Sequence, residues 1–440
     1  MNRIRSIAVL VGLASVWAMC SDAITLDTLM QTTLEKNPEI QKAKSGLEQA
    51  SGRRLVFRSV AWPNTIVGIA GGVQGGHRAG QKSIEPFGFA YGGFGQPFFN
   101  AAVPASLRRG DVELLIAEQQ LNVAVVEQLH SVRVAFYTAL YNRSLKELRE
   151  EQQQQLEENS TGQKARYESG LTDRGTLVGA EVQTRELDPR IETARRAYDE
   201  AALKLAQMIG NDLSSNAHLP EPEGQLDYKQ VDLVISKEAE MASKRRADLK
   251  LARVLVRAAN EDQRIIEAGY YPAINAVISG EYIPASGVRR DTQGAPRRTD
   301  DTLGSEARTG AAYTWRVVDN GKVYGAAMKQ RSAREINEIT LRKLEADVPR
   351  DLARIQNNLQ AIATKQNALR GASTAAQETA TRVRENLAGG VVSQLEFRLA
   401  ENALLDTKSA LLSLAFQQNV ALAEWDRATG RYFQFSDHTP

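Results

Sequence analysis

Residues 273–282 read Ala273-Ile274-Asn275-Ala276-Val277-Ile278-Ser279-Gly280-Glu281-Tyr282. Ile274, Ala276, Ile278 and Tyr282 alternate with Asn275, Ser279 and Glu281. A period of two sends successive side chains to opposite faces, so the stretch reads as a strand with one apolar and one polar face. Thr309, Ala311, Tyr313 and Trp315 alternate in the same way with Arg308, Thr314 and Arg316. The spacing predicts strands over about 272–283 and 305–318. Nearer the N-terminus, ten glycines fall between Gly68 and Gly95, with aromatics alternating at Phe87, Phe89 and Tyr91. Two further strands are predicted there, over about 64–75 and 86–99.

Working outward, the chain is written twice. Asn37-Pro38-Glu39-Ile40 and Arg246-Ala247-Asp248-Leu249 are offset by 209 residues, as are Trp62-Pro63 and Tyr271-Pro272. Tyr167-Glu168-Ser169-Gly170-Leu171 and Leu387-Ala388-Gly389-Gly390-Val391 are offset by 220, as are Glu181 and Glu401, and Gly210 and Gly430. The longer loop Pro284 to Gly304, against its counterpart Gly76 to Glu85, absorbs the difference of 11. Each repeat predicts a first helix, two strands and two long helices. The first repeat spans 24–210, with long helices over about 104–166 and 176–209. A linker follows over 211–230, carrying Pro220 and Pro222. The second repeat spans 231–430, with long helices over about 322–386 and 394–429, and a tail occupies 431–440. Pro38 splits the first repeat's opening helix. Leu114, Leu121, Val125, Leu129, Val132, Phe136 and Leu140 form one helical stripe. Leu187, Ile191, Ala194, Tyr198, Ala201, Leu205 and Met208 step by four and three, close to coiled-coil spacing. Sixty such residues reach about 90 Å, far more than a compact globule needs.

The N-terminus reads as a secretory signal over 1–23: Arg3 and Arg5, an apolar run from Ile7 to Ala18, then Ser21-Asp22-Ala23. Cys20, the single cysteine, opens a rival reading in which cleavage precedes an acylated cysteine. Trp17 and Met19, large residues where a lipoprotein signal has small ones, argue against it. The balance of 55 basic and 53 acidic side chains gives no electrostatic footprint for nucleic acid. His77, His130, His218 and His438 are scattered, with no zinc spacing, and no phosphate loop or nucleophile elbow is present. No catalytic, cofactor or metal residues are assigned, and an enzyme is not expected. The six methionines are equally unclustered and do not support copper or silver export.

The strands then decide the assembly. Trp62, Tyr282, Tyr313 and Trp315 stand near strand ends, as in the aromatic girdles of membrane barrels. Glu281, Arg308 and Arg316 on the opposite face suit a water-filled lumen. Four strands do not close a barrel, and in lipid each unpaired backbone group on an open edge costs several kcal/mol. Other copies must complete it. Two copies give eight strands, whose interior side chains fill, and three give twelve, enough for a channel. The Arg- and Asp-rich loop 284–304 is expected to face water outside the cell.

With these features in view, the chain resembles the TolC family of outer-membrane efflux proteins over essentially its whole length. The resemblance rests on Leu26 to Ile40, on Tyr167-x-x-Gly170-Leu171 and x-x-Gly390-Val391, and on the helix ends Leu203 to Gly210 and Ala421 to Gly430. Val317-Val318-Asp319-Asn320-Gly321 resembles that family's strand-to-helix junction. The resemblance implies an α+β membrane protein and a homotrimer. Its twelve-stranded barrel would sit in the outer membrane of a Gram-negative bacterium, above a periplasmic α-helical barrel. It further implies a passive exit duct in a tripartite efflux or type I secretion system, with a periplasmic adaptor and an inner-membrane transporter as partners. Gly170, Leu171 and Asp173, with Gly390, Val391 and Ser393, would form the adaptor-docking tip. Many members carry an acid six residues past each turn glycine, at the periplasmic aperture. Here those positions hold Thr176 and Glu396, and the bland reading of Glu396 is a capping box with Ser393. Pro189 and Pro349 also depart from the pattern, inside predicted long helices, and are read as tolerated bends. The competing reading is a periplasmic adaptor. It shares the signal and long hairpins but needs a lipoyl-like or β-barrel domain from strands flanking one hairpin.

Overall fold

The structure, a computed structural model, describes residues 23–75, 84–210, 219–231, 233–282 and 305–432. The signal segment with Cys20, the loop 284–304, linker residues 211–218 and the tail from 433 fall outside the described residues. The chain divides into two compact units. One gathers Met1–Pro38, Gln128–Leu233 and Ile355–Trp425, and the other Glu39–Glu127, Val234–Arg354 and Asp426–Pro440.

The first repeat begins with a two-residue strand, β1 (Ala23–Ile24), and helices α1 (Leu26–Lys36) and α2 (Pro38–Ser59). Strands β2 (Asn64–Gly75) and β3 (Ile84–Asn100) follow, then α3 (Ala102–Glu168) and α4 (Arg174–Met208). The short β4 (Glu221–Pro222) leads to α5 (Ile235–Arg245) and α6 (Ala247–Glu267). The second repeat continues with β5 (Ala273–Tyr282), β6 (Ser305–Thr314), α7 (Lys322–Ala388) and α8 (Gln394–Thr429). No described helix is long and apolar enough to cross a membrane. Pro189 lies inside α4 and Pro349 inside α7, and both helices continue through them.

In the unit of the helical turns, Leu29, Val132, Phe136, Leu140 and Leu205 pack into one core. Val132, Phe136, Leu140 and Leu205 are positions at which the stripes of α3 and α4 predict burial, and Leu29 joins them from α1. In the other unit Val112, Ile116 and Ala258 form a core. Leu114 is only half-buried, because Val112 and Ile116 take the inward positions on that turn.

One four-stranded antiparallel sheet has the order β2-β3-β5-β6. The two hairpins are therefore joined through β3 and β5, and β2 and β6 are its edges. The fourth strand ends at Thr314, short of the 318 expected from alternation. Its last partner is Ala273, and Asp319 then turns the chain into α7, accepting from Gly321 N at 3.0 Å and Val323 N at 2.7 Å. Asn320 (φ 54°) and Gly321 (φ 77°) take the left-handed conformation this turn requires. Trp315 and Arg316 thus lie beyond the strand.

The second repeat's opening helix is also two helices, although no proline marks the break. Arg246 N donates to Ala242 O, while its guanidinium holds Asp248 (2.7 Å) and reaches Asp351 (3.5 Å). Burial alone would raise the Asp248 pKa, but the Arg246 hydrogen bonds and charge take it below the ordinary value. In the first repeat Asn37 stands here, and its Nδ2 donates to Met208 O at 2.8 Å. The described part of the linker is tied down: β4 pairs in parallel with β1, and Asn419 Nδ2 donates to Asp227 O, while Gln356 Nε2 donates to Leu233 O just beyond it.

Four helices end on a glycine at positive φ: Gly170, Gly210, Gly390 and Gly430. A Cβ on Gly210 would stand 2.9 Å from Lys36 O, and one on Gly430 would stand 3.0 Å from Arg246 N. A Cβ on Gly170 would meet nothing within 4 Å. Alanine at Gly170 should cost about 1–2 kcal/mol, the strain of a left-handed residue. Alanine at Gly210 or Gly430 should cost visibly more, since backbone must also move. Thermal unfolding in detergent, followed by circular dichroism, orders the three variants.

Candidate functional site

Each long hairpin turns on the same motif. Leu171 N donates to Arg166 O at 2.8 Å and Gly170 N to Tyr167 O at 2.9 Å. Val391 N donates to Asn386 O at 2.9 Å and Gly390 N to Leu387 O at 3.1 Å. The Leu171 and Val391 bonds are six-to-one and the two glycine bonds five-to-two, the pairing around a left-handed glycine that satisfies carbonyls at the helix end. They leave Leu171 and Val391 protruding, 72% and 77% exposed. Asp173 caps α4, its carboxylate accepting from Gly175 N and Thr176 N, each at 3.2 Å. The hydrogen bonds from the Thr176 side chain and backbone hold the Asp173 carboxyl below its ordinary pKa. Ser393 and Glu396 form a reciprocal box: Ser393 N donates to Glu396 Oε2 at 3.0 Å, and Glu396 N to Ser393 Oγ at 3.3 Å. Glu396 is exposed, so capping leaves it in contact with solvent.

Two arginines unremarked in the sequence tie these turns together. Arg166, in the last turn of α3, donates Nη1 to Leu387 O at 3.0 Å. Arg384 donates Nη2 to Glu401 at 2.7 Å and to Gln155 at 3.1 Å, bridging α7, α8 and α3. A cavity of about 380 Å³ opens between them, floored by Leu387 and Phe397. Glu401 is 4% exposed, which ties its stability to the arginine. The 220-residue offset matches Glu401 only to Glu181, and contacts across three helices leave no local spacing to read.

The sheet, in the other unit, has two unlike faces. Register places Thr65, Val67 and Ile69 of β2 beside Phe94, Gly92 and Ala90 of β3. Ile274, Ala276, Ile278 and Tyr282 of β5 lie on this same face, opposite Tyr313, Ala311, Thr309 and Ser305 of β6. It is apolar yet open, with Val67 at 81% and Ile69 at 85% exposure. The other face aligns Gly68, Tyr91, Glu281 and Glu306 in one row across all four strands, with Arg308 paired to Glu306. Phe89 and Tyr91 belong to this polar face, their rings 5.9 Å apart, and the Tyr91 ring covers Gly68. Trp62, Tyr282, Tyr313 and Trp315 are all at least half exposed. Tyr313 and Trp315 lie at the helix-side end of the sheet and Tyr282 at the opposite end. Among the described residues, no group of His, Cys, Asp or Glu is placed to hold a metal.

Residues 29–211 match the model of a family described as outer membrane efflux protein. No curated protein matches the chain by sequence. Among solved structures, the outer membrane protein VceC of Vibrio cholerae is 18% identical with a TM-score of 0.76, over 92% of this chain and 96% of that one. A membrane protein from Pseudomonas aeruginosa is 17% identical with a TM-score of 0.78, over 98% and 99%. The CmeC outer membrane channel of Campylobacter jejuni is 11% identical with a TM-score of 0.78, over 92% and 85%. At such identities the likeness is one of fold.

Replacing Arg384 with methionine strands the buried Glu401 carboxylate without its cation. The variant should lose about 1–3 kcal/mol of stability at neutral pH. Glu401→Gln in the same background should restore part of the loss, as judged by thermal unfolding.

Proposed function

We infer that the chain belongs to the TolC family of outer-membrane efflux proteins and, from that premise, that three copies form one passive exit duct. It is an outer-membrane channel component with a large periplasmic helical portion. The observation that carries the finer reading is the sheet: an open apolar face, a polar face and two unpaired edges. A four-stranded sheet in lipid is tolerable only when its edges meet those of other copies. The helices next to the edge strands support the same closure. Leu55 and Val56 on α2, which leads into β2, are 56% and 69% exposed. Tyr324, Met328 and Ile336 on α7, which follows β6, are 63%, 52% and 63% exposed. A ring in which β6 and α7 of one copy meet β2 and α2 of the next covers both stripes. The adaptor reading finds no support, because all four long strands join one sheet and flank no single hairpin.

Gly170, Leu171 and Asp173, with Gly390, Val391 and Ser393, are the proposed docking tip for a periplasmic adaptor, which an inner-membrane transporter supplies with substrate. Supporting this, the two turns present apolar side chains on rigidly capped backbone. Trp62, Tyr282, Tyr313 and Trp315 are the proposed membrane-interface aromatics. Glu396 is the proposed aperture acid: threefold symmetry would bring three carboxylates toward one axis, where a narrow mouth screens them only partly.

Conductance in a planar bilayer tests the duct, and closed or non-conducting protein that resists every opening treatment would argue against it. Glu396→Gln should keep the helix cap yet lower cation preference and divalent-ion block. Unchanged selectivity would leave Glu396 as a cap alone. Bulky substitutions, Leu171→Trp and Val391→Trp, should abolish export from cells while the trimer still assembles. Export that persists in both variants removes the docking assignment.

A further inference from the structure

Near the helical turns, α3 meets α7 and α8 along a seam unlike the rest of the helix. Gln155, Asn159, Gly162 and Arg166 step by four, three and four, the spacing of a helix-packing seam. Earlier in α3 the buried stripe from Leu121 to Leu140 is apolar. Here every position is polar or lacks a side chain. Polar groups between helices cost stability unless each finds a partner. Asn159 Nδ2 is buried and finds none among the described residues.

These four residues line the cavity of about 380 Å³, and Leu387 and Phe397, both buried, form its floor. A Cβ on Gly162 would meet nothing within 4 Å, so the missing side chain leaves that wall open. The volume falls in the range of small-molecule sites, which combine an apolar surface with a few polar groups.

The polar groups specify the ligand. Asn159 Nδ2 is a donor, so what satisfies it is an acceptor. Arg166 adds a positive charge, and the partner it bonds, Leu387 O, is a neutral carbonyl. Its guanidinium is held in place before any ligand arrives. Nη1 bonds that carbonyl at 3.0 Å, and Nη2 lies against the second turn, 3.4 Å from where a Cβ on Gly390 would stand. Arg384 is committed to Glu401 and Gln155. Glu158, the carboxylate of the lining, is exposed to solvent. The cavity thus offers one charged and one neutral donor over an apolar floor.

We propose that this cavity binds a small organic anion with a flat apolar body, its acidic group held by Arg166 and Asn159 Nδ2 and its body lying on Leu387 and Phe397. Such a ligand touches α3, α7 and α8 at once, beside both turns. It binds only where the three helices are together, so it stabilises that arrangement against any in which they part. The site is separate from the exposed tips Leu171 and Val391, and it stands without the duct reading.

The test uses the full chain in an amphipathic polymer, which leaves no micelles to absorb the probe. Naphthalene-2-sulfonate is titrated in and the heat of binding is measured. The expected result is saturable binding, one probe per chain. Arg166→Gln removes the charge while keeping a donor. It should weaken binding roughly tenfold or more, the worth of a charge-assisted hydrogen bond. The uncharged naphthalene-2-sulfonamide should bind the unmodified chain more weakly by a similar factor. Gly162→Leu fills the open wall and should abolish saturable binding. Leucine is the better helix former, so binding lost at an unchanged unfolding temperature is loss of the site and not of the fold. No saturable binding to the unmodified chain up to about 1 mM overturns the proposal. Binding to either variant as tight as to the unmodified chain places the probe elsewhere and also overturns it. A sulfonamide that binds as well as the sulfonate overturns the anionic class.

Discussion

Unpaired backbone on the outer sides of β2 and β6 is the constraint from which the rest of the molecule follows. A sheet face with Val67 and Ile69 almost fully open is unfavourable in water, and its edges are unfavourable in lipid. Only a closed ring of sheets removes both costs. Closure by copies needs each copy to offer two complementary edges, which one chain achieves by carrying the hairpin twice. The join between β3 and β5 makes the two hairpins one wall and leaves one edge from each repeat.

The same duplication organises the helices. Each repeat turns its long pair on a left-handed glycine, Gly170 or Gly390, and ends on another, Gly210 or Gly430. The closing glycines press on the breaks between the opening helices, at Lys36 in one repeat and Arg246 in the other. One repeat meets the need with an asparagine and a proline. The other uses a half-buried arginine held by two aspartates. The backbone solution is kept while its side chains differ, and this is why the repeat is visible in spacing more than in identity.

Much of this is legible in the sequence because it depends on period and spacing. The alternation around Ile278 and Thr309 lies in β5 and β6, and the stripe from Leu121 to Leu140 is buried. Tyr167 to Leu171 and Leu387 to Val391 sit at the two helical turns. What resists reading is decided by tertiary contacts. The fourth strand stops at Thr314 because its partner runs out and Asp319 captures the next amides. The break at Arg246 needs Asp351, more than a hundred residues away. The side of the sheet taken by Tyr91 follows from its register against Gly68 and Glu281. Arg166 and Arg384 look like ordinary surface charges until α3, α7 and α8 are brought together.

The central claim is that one chain supplies a third of a closed wall. Native mass spectrometry of the protein released from mild detergent measures this directly. The account predicts one dominant species at three times the mass of the processed chain, stable until the sheet unfolds. A folded monomer or dimer as the dominant species, with the four strands intact, would contradict it.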